Sequence, residues 1–147
     1  MDDIVKQAMA KWPNVPDCYG WLGLDERGDW YMRDDRVQAL GSFEDACAKG
    51  DKAAKGSKLT HEKLLAFIGR NYACDDKGQW YFQNGPQRVY VALAATPYIW
   101  RLNWVQAESG QASVEVMSHT NLKTEALACM ADGEGRVYLR TPLGVGL

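Results

Sequence analysis

The residues of this chain that could do chemistry are few, and they form no recognised catalytic pattern. His61 and His119 are its two histidines, so a metal site or a catalytic triad would have to draw on one or both of them. His61 falls at the start of a predicted helix, where it is most simply a structural residue. The sequence contains no glycine-rich phosphate loop, zinc motif or nucleophile elbow. We therefore assign no catalytic, metal or cofactor-binding residue, and the sequence does not favour an enzyme.

The cysteines show neither the spacing of a metal site nor a C-x-x-C pair. The four are Cys18, Cys47, Cys74 and Cys129. Because the chain begins with acidic residues instead of a basic export signal, we expect a cytoplasmic protein whose thiols stay reduced. All four are predicted to be packing residues that solvent does not reach.

Charge argues against nucleic acid as a partner, and hydropathy argues against a membrane. Seventeen basic and nineteen acidic residues give a net charge of −2, which provides no general attraction for nucleic acid. No apolar run approaches the roughly 20 residues that a membrane-spanning helix needs. The expected partner is therefore an unknown protein or a small ligand, with neither nucleic acid nor a membrane.

Three segments share a D-x-x-G turn that leads into an alternating strand. The turns are Asp25–Gly28, Asp75–Gly78 and Asp132–Gly135. An aspartate can accept hydrogen bonds from the turn's amides, and glycine tolerates the left-handed conformation that closes such a turn. The pattern predicts three related hairpins.

Helical periodicity and caps predict the other elements. Ser42 and Gly50 bound one helix, Thr60 caps another, and Gly50 to Ser57 is expected to be a loop. The prediction is an α+β fold with a mainly antiparallel sheet of about seven to nine short strands and two or three short helices. One domain over 1–147 would contain helices 3–11, 42–49 and 60–69, hairpin 18–34, hairpin or meander 71–106, and strands 112–117 and 126–140.

Strand alternation separates two faces of these hairpins. Trp30 and Met32, Trp80 and Phe82, and Val137 and Leu139 are predicted core residues. The opposite, exposed face is a candidate binding surface, formed by Tyr31, Arg33, Tyr81, Gln83, Arg88, Tyr90, Tyr138 and Arg140. Tyr and Arg are common at interface hot spots, but such residues also pair across strands for purely structural reasons.

Two functional hypotheses follow from these residues. The first is a non-enzymatic binding or accessory module that uses the Tyr/Arg face, which could also mediate oligomerisation. The second is a small-ligand-binding protein or enzyme with a polar pocket near the central hairpin, formed by Arg70, Asn71, Gln83, Asn84, Arg88 and His119. A flat surface would favour the first, and a cavity would favour the second.

The stretch from Phe67 to Val91 carries a family resemblance. It contains F-I-G-R-N-Y, followed by a D-x-x-G turn and W-Y-F-Q-N-G-P-Q-R-V-Y-V. In this stretch the chain resembles an uncharacterised bacterial domain-of-unknown-function family, over residues from about Trp12 onward. The resemblance implies no activity, and it implies that family members continue past Leu147.

Overall fold

The computed structural model describes residues 1–147 and contains five short helices and twelve strands in mainly antiparallel sheets. The predicted α+β class is confirmed. The elements are more numerous than expected because several are strands of two or three residues or one-turn helices, such as Ser57–Lys58 and Lys52–Lys55. Elements this short contain too few residues to show a helical or strand periodicity in the sequence.

The chain divides into two compact units. Unit 1 comprises Met1–Asp25 and Asp29–Ala94, and unit 2 comprises Glu26–Gly28 and Ala95–Leu147. The single domain expected over 1–147 stays a prediction, and each unit is described by itself.

Unit 1 is built on a six-stranded sheet with five helices. Its elements are α1 (Asp3–Lys11), β1 (Cys18–Leu24), β2 (Trp30–Met32), α2 (Asp35–Gln38), α3 (Phe43–Lys49), α4 (Lys52–Lys55), β3 (Ser57–Lys58), α5 (Glu62–Arg70), β4 (Tyr72–Cys74), β5 (Trp80–Asn84) and β6 (Gln87–Leu93). The strand order is β3-β2-β1-β6-β5-β4, with β1 and β6 parallel and the other neighbours antiparallel.

Side-chain caps set where the short helices begin. Ser42 accepts a hydrogen bond from the Asp45 amide (3.1 Å), and α3 ends at Gly50 with a positive φ of 67°. The predicted Thr60 cap is wrong, because His61 Nδ1 accepts the Leu64 amide (3.3 Å) and α5 begins one residue later. The expected loop after Gly50 instead contains α4 and β3.

The core of unit 1 lies on one face of the sheet beneath α5. Its buried members are Leu22, Leu24, Trp30, Ile68, Phe82 and Val89. On the other face, the fully buried ring of Phe43 in α3 lies so close to Gly23 that an added Cβ would meet it at 2.7 Å. Helices therefore cover both faces of this sheet.

The predicted meander over 71–106 ends earlier than expected. Strands β4, β5 and β6 form consecutive antiparallel pairs, but the second edge of β6 pairs in parallel with β1. The next strand therefore belongs to another sheet. Alternation in the sequence predicts a strand, but it does not predict whether that strand pairs with a neighbour in the chain or with a distant strand.

The three D-x-x-G turns share one geometry. In each, the Asp backbone amide donates to the carbonyl four residues on, at 3.0 Å from Asp25, 2.8 Å from Asp75 and 3.0 Å from Asp132. The turn glycines have φ values of 87°, 82° and 82°. Each Asp Oδ1 also accepts the amide of the residue after the glycine, at 2.9, 2.8 and 3.0 Å. The aspartate thus supplies the internal hydrogen bonds of the turn, as the sequence pattern indicates.

Unit 2 contains two three-stranded antiparallel sheets. One has the order β7 (Trp100–Gln106), β8 (Ala112–Ser118) and β9 (Lys123–Thr124), and the other β10 (Ala128–Ala131), β11 (Val137–Thr141) and β12 (Gly144–Gly146). The indole of Trp100 links them by donating to the Leu139 carbonyl at 3.1 Å. No helix of the protein is long and apolar enough to cross a membrane.

Candidate functional site

Unit 1 contains a cavity of about 270 Å³ between α5 and the core face of the sheet. The sheet contributes Cys18, Trp21, Leu22, Met32, Phe82 and Val89 to its wall. The helix side contributes Leu59, Leu64, Phe67 and Ile68, while Asn84 and Gln87 complete the lining. We call this cavity the α5 pocket.

Strand register and helical spacing bring these side chains together. Leu22 lies opposite Met32, and Phe82 lies opposite Val89, so each pair presents its side chains on the same face. On α5, Leu64 and Ile68 are four residues apart and therefore share the helix face that packs on the sheet.

The pocket has a buried floor and an exposed mouth. Ile68 is 1% exposed and Leu22 is 3% exposed, whereas Trp21 and Met32 are 37% and 43% exposed. Large apolar side chains at the mouth therefore remain in contact with water. This exposure corrects one expected core residue, Met32, which lies at the end of a short strand near the edge of the sheet.

The polar groups of the α5 pocket are few and uncharged. Burial raises the pKa of the Cys18 thiol, so it stays protonated at neutral pH. Asn84 is exposed at the end of β5, and Gln87 Nε2 donates to the Pro16 carbonyl at 3.0 Å. The lining contains no Asp, Glu, Lys, Arg or His. This chemistry suits contact with an apolar molecule that carries a hydrogen-bonding group.

The predicted exposed Tyr/Arg face is wrong in unit 1. Tyr81 and Tyr90 are each 7% exposed, Arg33 is 3% exposed and Gln83 is 1% exposed, while Tyr31 and Arg88 are partly buried. Alternation separates the two faces as expected, but the second face is covered as well.

The buried members of that face make structural contacts. Arg33 Nη2 donates to the Gly41 and Ala54 carbonyls at 2.7 and 3.0 Å. The guanidinium of Arg88 lies 4.4 Å from the centre of the Tyr81 ring. These contacts anchor loops and rings within unit 1.

The remaining two residues of the predicted face belong to unit 2. The Tyr138 hydroxyl donates to Asp132 Oδ2 at 2.8 Å, so it braces its own turn. Arg140 is exposed on β11, between Ala128 and Val145. Val137, an expected core residue, is 53% exposed because the outer part of this hairpin is not covered. The eight predicted residues are therefore divided between two units.

The predicted polar pocket is not formed as proposed within unit 1. Arg70 Nε pairs with Asp2 at 3.1 Å, and the buried Asn71 accepts the Asp2 amide at 2.9 Å. Gln83 lies beside them, since its amide donates to the Asn71 carbonyl at 2.8 Å. These groups hold the amino-terminal segment against the sheet. Of the six predicted residues, Asn84 alone lines the α5 pocket, and His119 belongs to unit 2.

The cysteines differ in exposure. Cys18 and Cys47 are partly buried, whereas Cys74 and Cys129 are exposed, and none forms a disulfide. The expectation that all four are inaccessible is wrong for two, because both lie on short hairpin strands with one uncovered face.

Sequence reasoning missed most of the pocket wall. The apolar stripe of α5 and the position of Leu59 before the helix were visible, but we interpreted them as core packing. The sequence offers no further signal for a cavity, because the side chains of Gln38 and Phe43 occupy the space beside Gly20 and Gly23.

A family model, DUF2944, with the description "Protein of unknown function (DUF2946)", matches residues 1–147. Among solved structures, the chain is similar to a crystal structure of a DUF1285 family protein from Silicibacter pomeroyi DSS-3. The two are 8% identical with a TM-score of 0.52, and the match covers 100% of this chain and 78% of that chain. This similarity concerns the fold alone. No curated protein matches the chain.

Proposed function

The chain belongs to the family described as protein of unknown function (DUF2946); we propose that it is a binding module for a small apolar molecule. The ligand occupies the α5 pocket. The observation that carries this proposal is the cavity of about 270 Å³ in unit 1, which is lined mainly by apolar and aromatic side chains. Its volume lies near the small end of the range of protein ligand sites.

The chemistry of the lining supports binding in place of catalysis. Acid–base catalysis uses ionisable side chains close to the substrate, and the lining supplies a single protonated thiol, that of Cys18. Burial of apolar ligand surface provides the binding free energy, at about 25 cal/mol per Å². The exposed side chains of Trp21 and Met32 at the mouth gain burial at the same time as the ligand.

Of the two functions considered from the sequence, the small-ligand function agrees better with this geometry. A protein-binding Tyr/Arg face requires exposed side chains, and Tyr81 and Tyr90 are buried. A ligand site requires a concave cavity, which the α5 pocket provides, although its wall is apolar instead of polar.

Cys18 offers a direct test because its thiol lines the pocket. In a variant with serine at Cys47, Cys74 and Cys129, a small thiol reagent should label Cys18 slowly in the free protein. Saturation with 1-octanol, a probe of suitable size, should slow the labelling further. At a probe concentration ten times the dissociation constant, we expect roughly a tenfold slower rate.

Two leucine substitutions provide matched variants. Cys18→Leu fills part of the α5 pocket and should abolish the rise in urea midpoint that 1-octanol causes, whereas Cys47→Leu, in α3 and outside the pocket, should retain it. Equal responses of the two variants, with unchanged Cys18 labelling, would show that 1-octanol does not enter the pocket.

A further inference from the structure

We propose that the α5 pocket selects small, electrically neutral ligands that carry one hydrogen-bonding head group. This inference rests on the proposed function and specifies the class of ligand. It follows from the charge, the size and the polar groups of the pocket.

The lining carries no charged side chain that could compensate an ionic ligand. Carboxylate, ammonium, guanidinium and imidazole groups are all absent from its wall. An ion that leaves water without a partner loses the favourable free energy of its hydration. The Cys18 thiol does not supply this compensation, because it is protonated and neutral.

The cavity volume limits the size of the ligand. A volume of about 270 Å³ lies near the small end of the range of protein ligand sites, and a molecule the size of 1-octanol is a suitable probe. A ligand this short keeps its head group against the lining, where a charged head would meet no oppositely charged side chain.

Two carboxamides provide the polar contact. Asn84 ends β5 and Gln87 begins β6, so both side chains lie at the base of one hairpin turn. Since Gln87 Nε2 is hydrogen-bonded to Pro16, its carbonyl oxygen is the group that can accept a ligand hydroxyl. Asn84 has both donor and acceptor capacity, is exposed to solvent and lines the pocket. A neutral hydroxyl or amide head group matches these partners.

The test compares probes of one length that differ in charge. Dissociation constants for 1-octanol, octanoate and octylammonium are measured at neutral pH through protection of Cys18 in the protein with serine at the other three cysteines. We expect 1-octanol to bind at least tenfold more tightly than either ion. Dodecanoate provides a length control, because its longer chain carries the charge beyond the rim of the pocket. The ratio of its dissociation constant to that of 1-dodecanol should therefore be smaller than the ratio of octanoate to 1-octanol.

The polar contact is tested separately with Asn84→Ala and butylbenzene, an apolar probe of similar size that cannot form hydrogen bonds. The substitution should weaken the binding of 1-octanol several-fold and leave the affinity for butylbenzene unchanged. Tighter or equal binding of octanoate or octylammonium would overturn the charge selectivity while the pocket function stands. Absence of Cys18 protection by every probe would overturn the proposed function itself.

Discussion

Protonation of His119 should destabilise unit 2 in mild acid. The ring is 9% exposed, and its Nδ1 accepts the Ile99 amide at 3.2 Å, which places the proton of the neutral ring on Nε2. Burial, together with the positive charge of Arg101, lowers the pKa of His119 from 6.5 to about 4. A second proton would have to occupy Nδ1 and would remove the acceptor of the Ile99 hydrogen bond.

The sign and size of the effect follow from linkage. The pKa is lower in the folded state, so the unfolded chain binds more protons as the pH falls below 6.5. Stability is complete above that value and declines until the folded His119 is protonated near pH 4. Between pH 7.5 and pH 5 the free energy of unfolding should decrease by about 2 kcal/mol through this residue alone.

The two histidines provide a matched experiment. His119→Asn replaces Nδ1 with an acceptor oxygen that does not titrate, and His61→Asn replaces the cap of α5 with another good capping residue. Urea unfolding at several pH values between 7.5 and 5 should show the decline in wild type and His61→Asn, and a much flatter profile in His119→Asn. In NMR titrations the His119 ring should change protonation near pH 4.

Two results would refute this reasoning. One is an unchanged pH profile in His119→Asn, which would place the titrating group elsewhere. The other is a His119 titration midpoint close to 6.5, which would mean that the folded ring is hydrated to the same extent as in the unfolded chain.

Three other substitutions test the packing and the turns. Gly23→Ala should lower the free energy of unfolding by about 1–3 kcal/mol, because the added Cβ would meet the buried ring of Phe43. Chemical denaturation measures this loss. Gly78→Val should lower the free energy of unfolding by about 1 kcal/mol or more, because a valine is strained at the φ of 82° found there. Gly133→Val is the control: this glycine is exposed and has no positive φ, so its denaturation midpoint should change little. For Asp132, burial raises the pKa, but the Arg136 amide, the Tyr138 hydroxyl and the Arg136 side chain hold it well below 3.8. Asp132→Asn should therefore destabilise most at neutral pH, with a difference from wild type that shrinks as the pH falls below 3.8, and equal losses at pH 7 and pH 3 would contradict this.

The parts of the fold that the sequence predicts are those determined by nearby residues. The Asp and Gly of each turn interact within five positions of the chain, so Asp75 and Gly78 suffice to indicate the second turn. The same holds for Ser42, whose capping partner is three residues away. The parallel contact between β1 and β6 joins Leu22 to Val91, and no local pattern encodes that pairing.

Exposure at the candidate sites could not be predicted from the sequence either. Alternation correctly places Tyr81 and Phe82 on opposite faces of β5, but exposure depends on what covers each face. Here α5 packs on the face of Phe82, while the Tyr90 ring and the Arg88 guanidinium lie against Tyr81, so both side chains are buried. A pocket is harder still to predict, because it depends on where apolar walls fail to meet. In the α5 pocket, the buried Leu22 and Ile68 share one wall with the exposed Trp21 and Met32, and neither strand alternation nor a helical period predicts that combination.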